Sequence, residues 1–375
     1  MKKIRAVAIK ELRQIVRDPL SLLLLLGLPA FMLVLYGFAL NFDVRHVALA
    51  VQDRDKTAAS RELVASFVNS TYFDLVATPE PGTDLEPLLE RRRARGVLVI
   101  PEGYAAALSS GRVAPVQLLL DGADAGTATT VLGYAGALVA ESNAEAVRRT
   151  VVRVTGRDLP ETIEYRPRVW YNPELRSTQF LVPGLMGVLL MLTAVLATAL
   201  SVVREKERGT MEQLRVAPLG TAQLILGKTL PYLAISLVAA ALILLAARVL
   251  FGVEVKGSYL ALLAATLVYL VGALGLGILI STIADSQAMA FQGGLLVSLL
   301  PAVLLSGFIF QIRAMPAPLQ LVTHLVPARY YLVVLRGVIL KGSGLGPYWD
   351  QMAYLGLFAV ATLGLASLRL VRREF

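Results

Sequence analysis

The chain has no cysteine in its 375 residues, and it has only two histidines, His46 and His324. The absence of cysteine excludes disulfide bonds, thiol chemistry and cysteine-ligated metal ions. The two histidines lie far apart in sequence, and neither belongs to an HExxH or other compact metal-ligand pattern. No Ser/His/Asp or paired-carboxylate arrangement can be assembled either, so the residues predict neither a metal site nor a catalytic site.

Charge is also scarce in this sequence. Charged residues make up 17% of the chain, whereas ordinary soluble domains contain about one quarter. Hydrophobic residues make up 56%, and the mean hydropathy is +0.65. The net charge of +9 arises outside residues 42–176, and no basic stripe is interleaved with aromatic residues as a nucleic-acid platform requires. The composition therefore predicts a membrane protein without a nucleic-acid partner.

Six apolar stretches are long enough to cross a bilayer, which takes about 20 helical residues. Basic residues precede the first stretch, as in a signal peptide. Its apolar run exceeds the usual signal core of about 7–15 residues, so we interpret it as an uncleaved span. Prolines within the stretches are compatible with membrane helices when neighbouring groups satisfy the freed carbonyl. The predicted spans are residues 20–41, 179–203, 224–248, 259–284, 288–310 and 349–369.

The fourth of these spans contains the sequence GALGLG, with glycines at positions 272, 275 and 277. Small residues allow helices to approach closely. Packing within one subunit and a seam between two subunits explain this pattern equally well.

The distribution of Lys and Arg predicts the orientation. With six spans, both termini lie on one side of the membrane, and that side carries fourteen Lys or Arg residues against six in the short segments of the other side. Both termini are therefore expected in the cytoplasm, and the protein is expected in the inner (plasma) membrane as a multi-pass protein. Residues 42–176 then lie outside.

Residues 42–176 alternate between β-rich runs and helical stretches, which predicts an α/β domain. The predicted strands are 47–52, 72–77, 96–100, 115–120 and 163–171. The basic run ERRRARG at 90–96 is either a solvated helix end or a contact for an anionic ligand or another protein.

Residues 1–19 predict an amphipathic helix that lies in the cytoplasmic interface before the first span. Ile4, Val7, Leu12 and Ile15 recur at near-helical spacing, and Lys and Arg fill the other face.

The loop 204–221 between the second and third spans begins with REKERGTMEQLR. A cytoplasmic topology anchor explains its basic residues, but it does not explain the interspersed acids, which contribute little to topology. Mixed charge with two apolar side chains, Met211 and Leu214, favours a short helix over 204–216 that docks into a groove. The predicted docking residues are Arg204, Glu205, Lys206, Glu207, Arg208, Gly209, Thr210, Met211, Glu212, Gln213 and Leu214.

This loop resembles the segment after the second span in ABC-2 type exporter permeases, which read R-E-[KR]-E-x-G-T-[LM]-E-Q-L-x-x-x-P. All nine positions at which the pattern fixes a single residue match, and the amphipathic start, the external domain and the six-span layout agree with it. The resemblance implies the transmembrane subunit of an ATP-driven exporter, similar to bacterial multidrug-type permeases. It also implies that this loop couples to a separate cytoplasmic ATPase, which binds ATP and Mg²⁺.

The sequence AQLILGKT at 222–229 ends like a phosphate-binding loop, but Ala222 stands where the first glycine is required and a membrane helix surrounds it. We therefore expect no cofactor in this chain. Lys228 is expected to extend towards the cytoplasmic interface.

Residues 311–347 are too polar for another span and contain Pro316, Pro318 and Pro327, which predicts paired re-entrant or interfacial helices on the outer side. Ionisable side chains in this segment define a candidate exit path or simply extend to the outer surface. These residues are His324, Arg329 and Arg336.

The fold predicted is a membrane-embedded, all-α six-span helical bundle with an α/β extracytoplasmic domain inserted between spans 1 and 2. The domains are 1–19, 20–41, 42–176 and 177–375. The function predicted is ATP-driven export of a drug-like, lipid-like or ionic substrate as a homo- or heterodimer, with lipid and a periplasmic adaptor as further candidate partners. The alternative is a membrane-anchored sensor or enzyme that acts through its external domain. A stoichiometric ATPase recovered with the chain would distinguish the two.

Overall fold

The computed structural model describes residues 2–39, 45–156, 168, 170–173, 176–210 and 220–373. The chain divides into a helical unit, Met1–Asn41 with Val169–Phe375, and a second unit, Phe42–Arg168. The fifth predicted strand, 163–171, lies almost wholly outside the described residues.

The helical unit begins with α1, Lys2–Arg17, which buries Val7, Glu11 and Ile15 along one face. Three short segments continue it: α2 is Pro19–Leu22, a π-helical turn covers Leu23–Gly27, and α3 is Leu28–Ala39. Pro29 lacks an N–H for the carbonyl four residues earlier, and the π turn ends two residues before it.

The second unit contains a four-stranded sheet flanked by helices. In chain order its elements are β1 (Val47–Asp53), α4 (Ala58–Val68), β2 (Phe73–Ala77), α5 (Glu86–Glu90), β3 (Gly96–Ile100), α6 (Tyr104–Ser109), β4 (Gln117–Leu120) and α7 (Ala125–Thr155). The strand order is β2-β1-β3-β4, with β1 parallel to both β2 and β3, and β4 antiparallel to β3. These strands coincide with four apolar runs of the sequence.

Both faces of this sheet are covered. Leu49, Phe67 and Ile100 belong to the larger core, and Ala50 and Val97 belong to a smaller core. The basic run at 91–93 is exposed at the end of α5 and in the turn after it. The long helix α7 begins at an Asp124 cap and ends at Gly156, which has a positive φ.

The helical unit resumes with three long helices: α8 (Ser177–Glu207), α9 (Thr221–Phe251) and α10 (Tyr259–Ile283). A further helix is broken in the middle, with α11 at Gln287–Gly294, a π turn at Leu295–Leu299 and α12 at Leu300–Leu304. The chain then forms α13 (Ala317–Val322), α14 (Pro327–Lys341) and α15 (Trp349–Arg373).

Five helices in the described part of the chain are long and apolar enough to cross a membrane. Their bounds are Ser177–Glu207, Ala222–Phe251, Tyr259–Ile283, Gln287–Leu304 and Gly346–Val371. The first predicted span, 20–41, corresponds to a shorter apolar helix, Leu25–Ala39. The fifth predicted span ends at Leu304 rather than at 310, because the chain turns there and reaches a positive φ at Gly307.

The core of the helical unit forms around α8 and α14. Val182, Leu190, Tyr331, Leu335 and Val338 are almost completely buried. The rings of Tyr331 and Tyr269 stack with centroids 4.0 Å apart, and the Tyr269 hydroxyl donates to the carbonyl of Gly187 at 2.8 Å. The segment 311–347 therefore contributes its main helix to the interior of this unit.

The glycines of GALGLG pack against neighbouring helices of the same chain. A Cβ at Gly272 would lie 2.8 Å from the ring of Phe358, and one at Gly275 would lie 2.7 Å from the Thr362 hydroxyl. A Cβ at Gly277 would overlap the backbone of Val195 in α8. All three glycines thus allow close contacts within one subunit.

Candidate functional site

The charged stretch that begins at Arg204 is the inner end of α8. Residues 204–207 form the last turn of this 31-residue helix rather than the start of a separate short helix. Arg208 caps the turn, and Gly209 has a positive φ of 68°. Nothing interrupts the apolar helix before the charges begin, so the helix continues through Glu207. The predicted docking residues Met211, Glu212, Gln213 and Leu214 lie outside the described residues.

A four-charge cluster, formed by Lys10, Glu11, Glu205 and Lys228, joins three helices at this end of α8. The Nζ of Lys228 lies 2.5 Å from Oε2 of Glu205 and 3.0 Å from Oε1 of Glu11. Lys10 pairs with Glu205 and, at 3.2 Å, with Glu11. Two basic and two acidic side chains thus meet at one point, where α1, α8 and α9 come together.

The cluster is largely shielded from solvent. Glu11, Glu205 and Lys228 expose 1%, 4% and 3% of their surfaces, whereas the Lys10 side chain is about half exposed. Burial alone would raise the pKa of Glu11, but the ammonium groups of Lys228 and Lys10 lower it below its ordinary value. A buried charge requires a partner because desolvation is costly. Each charge in this cluster has a partner of opposite sign.

Lys228, which was expected to extend towards the cytoplasmic interface, is buried rather than exposed to solvent. Its ammonium group points into the cluster because two carboxylates there compensate its charge. The neighbouring residues of the Gly-Lys-Thr sequence also have structural roles. A Cβ at Gly227 would lie 2.7 Å from Val7 of α1, and the Thr229 hydroxyl donates to the carbonyl of Ile225 at 2.8 Å.

The other charges of the stretch bind two further segments. Arg204 Nη1 donates to Asp18 Oδ2 at 3.1 Å, and Arg204 Nε donates to Gln287 Oε1 at 3.4 Å. Lys206 Nζ lies 2.7 Å from Asp285 Oδ1 and donates to the carbonyl of Ala284 at 2.8 Å.

Glu207 completes this arrangement at the start of α11. Its carboxylate accepts the backbone N–H of Gln287 at 2.7 Å and also the side-chain amide of that residue. Residues 204–207 therefore bind α1, the residue that follows it, α9, the turn at 284–285 and the start of α11. Four consecutive charged side chains thus tie the end of α8 to these segments.

Sequence reasoning missed most of the residues that Arg204–Glu207 contact. Lys10, Glu11, Asp18, Asp285 and Gln287 were not selected. One signal was available: Glu11 is four residues from both Val7 and Ile15, so it lies within the apolar face of α1. An acid on an apolar helix face requires a buried partner.

The residues of the candidate exit path occupy different environments. Arg336 is mostly buried, and its guanidinium donates to the carbonyl of Gly307 at 3.0 Å while lying 3.7 Å above the ring of Phe180. It also reaches the carbonyl of Phe308 at 3.4 Å. Arg336 therefore links α14 to α8 and to the turn that follows α12.

His324 and Arg329 lie elsewhere in this segment. His324 is exposed, and its Nδ1 lies 3.1 Å from the carbonyl of Gln320. Arg329 donates to the hydroxyl of Thr323, and its guanidinium lies 5.7 Å from the centroid of the Tyr330 ring. The three residues do not form one cluster, and a shared exit path stays a prediction.

Within the described ranges, no group of three or more histidines and carboxylates lies close enough to hold a metal ion. In the described part of the helical unit, the network around residues 204–207 joins several charged and polar side chains. It contains paired ions and hydrogen bonds that connect helices to one another.

A family model described as ABC-2 family transporter protein matches residues 20–368, and the chain belongs to this family. It is 32% identical over 373 residues to the probable multidrug ABC transporter permease YbhS of Escherichia coli (strain K12), covering 99% of this chain and 97% of that protein. It is 29% identical over 365 residues to the probable multidrug ABC transporter permease YbhR of the same strain, covering 97% of each.

A third relative is the inner membrane transport permease YhhJ of Escherichia coli (strain K12), which is 26% identical over 378 residues, covering 98% of this chain and 97% of that protein. These relatives are named as permeases, and the five long apolar helices agree with that class. The resemblance predicted from the charged loop is confirmed, and the chain is a multi-pass membrane protein of the ABC transporter permease class.

Proposed function

We propose that this chain is the transmembrane subunit of an ATP-driven exporter, and that its coupling element is the inner end of α8 together with residues 208–221. A separate cytoplasmic ATPase would bind ATP and Mg²⁺ and would dock on this element. The family supports an ATPase partner, because ABC transporters combine permease and ATPase parts. The pattern of charges in REKERGTMEQLR supports the docking position.

The observation that carries the proposal is the ion-paired network of residues 204–207. A docking element must transmit force, so it has to be fixed to the helices that move. Arg204, Glu205 and Lys206 contact three different neighbouring segments, and a push on the end of α8 would reach all of them. Arg208 is exposed beyond this network and begins the segment that would contact the ATPase.

In this proposal the helical unit crosses the inner membrane six times, with the helix ending at Ala39 as the first span. The prolines and the π turn of that segment are compatible with a membrane helix. Both termini would be cytoplasmic, and the sheet-containing unit would be extracytoplasmic. The permease would act as a homo- or heterodimer, and a periplasmic adaptor would be a further partner of the external unit.

For the substrate, the names of two relatives support a drug-like compound, since YbhS and YbhR are both called probable multidrug permeases. A lipid-like compound or an ion are the other candidates for the exported species. Arg336 would lie beside the outer part of the transport path, where carbonyl groups and the Phe180 ring already hold its charge.

The test is charge reversal at Glu212, measured in membranes that contain the chain and its ATPase. Glu212→Lys would oppose a basic group on the ATPase and leave that group without a partner, at a cost of about 2–5 kcal/mol. We expect loss of ATPase co-purification and of substrate-stimulated ATP hydrolysis, while the chain still inserts.

Glu254→Lys is the matched control, because Glu254 is an exposed acid just after α9 and its carboxylate lies 4.0 Å from Arg248, a long distance for an ion pair. This variant should keep both ATPase co-purification and substrate-stimulated ATP hydrolysis. If Glu212→Lys also keeps both, the loop is only a topology anchor. If no ATPase is recovered with the unmodified chain, a membrane-anchored sensor becomes the better reading.

A further inference from the structure

The exposed surface of α1 is a second site of interest, because many side chains of this helix are exposed in the described part of the chain. One face holds Val7, Glu11 and Ile15 against α8 and α9. The remaining surface divides into an apolar stripe and a basic face. We propose that this surface binds the headgroups of anionic phospholipids, and that the lipid contact holds α1 against the four-charge cluster.

The apolar stripe consists of Ile9, Leu12 and Val16, which are spaced three and four residues apart and therefore share a face. They expose 37%, 44% and 60% of their surfaces. The helix lies directly before the apolar segment that starts at Pro19, so this stripe is placed where the chain enters the hydrocarbon. An apolar stripe in that position is suited to the acyl boundary of a bilayer.

The basic face, with Lys2, Arg13 and Arg17, lies beside this stripe, whereas Arg5 lies within the stripe because it precedes Ile9 by four residues. All four basic side chains are exposed, and Glu11 is the single acid in α1. Glu11 is buried and paired with Lys228, so it does not neutralise the outward charges. Asp18, just after the helix, is paired with Arg204. The outward charge is therefore strongly positive, which complements a surface rich in phosphatidylglycerol or another anionic lipid.

A cytoplasmic protein is the competing occupant of this surface. The combination of an apolar stripe with long basic side chains favours lipid, because Lys and Arg can extend from the acyl boundary to the phosphates. Lipid binding to α1 would also affect the inner end of α8. Lys10 and Glu11 belong to the same helix and contact Glu205 and Lys228, so lipid binding to α1 would stabilise the position of the inner end of α8.

The absence of cysteine allows a direct test on the full chain without any ATPase. Val16→Cys provides a single thiol in the apolar stripe, and a bimane label there reports its contact with water. The purified protein is placed in nanodiscs of phosphatidylcholine with or without phosphatidylglycerol. We expect the anionic lipid to shift bimane emission to shorter wavelength and to lower quenching by acrylamide by about half, because α1 sits deeper in the interface.

Three further variants, each in the Val16→Cys background, test the role of charge. Arg5→Gln/Arg13→Gln/Arg17→Gln should abolish the response to phosphatidylglycerol, and the same three positions changed to Lys should retain it. Arg91→Gln/Arg92→Gln/Arg93→Gln removes three exposed charges from the sheet-containing unit and should also retain it. Two results would overturn the proposal and favour a protein partner on α1. In the first, Arg5→Gln/Arg13→Gln/Arg17→Gln keeps the bimane response to phosphatidylglycerol, as the Arg91–Arg93 control does. In the second, the Val16→Cys protein itself shows no response to phosphatidylglycerol. Because no ATPase is present, neither result depends on the proposed coupling function.

Discussion

Among single residues, the charged side chains near the inner end of α8 affect stability strongly because most of them are buried. Lys10 and Lys228 carry two positive charges, and Glu11 and Glu205 carry two negative ones, so the cluster is neutral as a whole. Glu205 and Lys228 are nearly inaccessible to water. Removing one of them leaves a buried charge without compensation, which is a larger effect than the loss of one contact.

We therefore predict that Glu205→Gln destabilises the helical unit by about 3–5 kcal/mol, because Lys228 loses one of its two partners. The measurement is the thermal unfolding of the purified chain in detergent. The double variant Glu205→Gln/Lys228→Met should recover part of the loss, since it leaves the neutral pair of Lys10 and Glu11. Glu254→Gln is the exposed control and should unfold like the parent. Equal unfolding temperatures for Glu205→Gln and the parent would contradict the role assigned to the cluster.

Arg336 illustrates a different solution to the burial of a charge. Within the described residues no acid pairs with it: its Nη atoms donate to the carbonyls of Gly307 and Phe308, its guanidinium lies over the Phe180 ring, and its buried Nε has no hydrogen-bond partner there. A planar, delocalised cation is suited to such a site, whereas a lysine ammonium cannot reproduce the fork of donors. The position of Arg336 thus depends on an irregular turn, and that turn depends on the positive φ of Gly307.

At the scale of elements, α8 is the helix around which the others are organised. Its apolar part is buried in the core, and its last turn binds α1, α9 and the start of α11. Close contact with α10 is possible because Gly277 presents no side chain to the backbone of Val195. The glycines of GALGLG are explained by this packing.

We predict that Gly277→Ala lowers stability by about 1–3 kcal/mol, because the added methyl group overlaps the Val195 carbonyl and the Thr198 hydroxyl. Gly364→Ala is the matched control. Gly364 also lies inside a helix, but a Cβ there meets no atom within 4 Å. The control should be neutral or slightly stabilising in thermal unfolding. A similar loss in both variants would mean that glycine flexibility, rather than helix contact, explains the effect.

At the scale of the whole molecule, the chain combines a helical unit with an α/β unit that interrupts it in sequence. The second unit has its own core on both faces of the sheet. The proposed topology places this unit on the extracytoplasmic side of the membrane and the end of α8 on the cytoplasmic side. That assignment depends on the asymmetry of Lys and Arg, which influences insertion mainly through short loops.

This topology predicts opposite labelling of two introduced cysteines in intact cells. Ala144→Cys in α7 should react with a membrane-impermeant thiol reagent, whereas Arg208→Cys should react only after the cells are opened. Both positions are exposed in the structure, so burial does not limit either reaction. The parent chain contains no cysteine and provides the blank. Labelling of Arg208→Cys in intact cells, without labelling of Ala144→Cys, would reverse the orientation and remove the docking site from the cytoplasm.

The local sequence determined the secondary structure well. Apolar length predicted the five long helices, and β-rich runs predicted the four described strands, because hydrophobic periodicity and run length act within one segment. The family also followed from local residues, since the charged loop after α8 carries its pattern. The predicted span 288–310 did not include the end of the helix at Leu304, although Gly307 within that apolar run was a signal for a turn.

The contacts of the charged side chains become visible only in the packed fold. The sequence places Lys228 in an apolar helix and Glu11 in an amphipathic one, and each alone looks like a side chain that reaches for water. Their mutual distance of 3.0 Å arises from the packing of α1 against α9, which brings together residues separated by more than two hundred positions. Pairing across such a separation depends on the close approach of Val7 to Gly227, and no periodicity within a single segment contains that information. The helices, the strands and the family follow from neighbouring residues and can therefore be predicted from the sequence, whereas the pairing of the buried ions depends on the packing of distant segments.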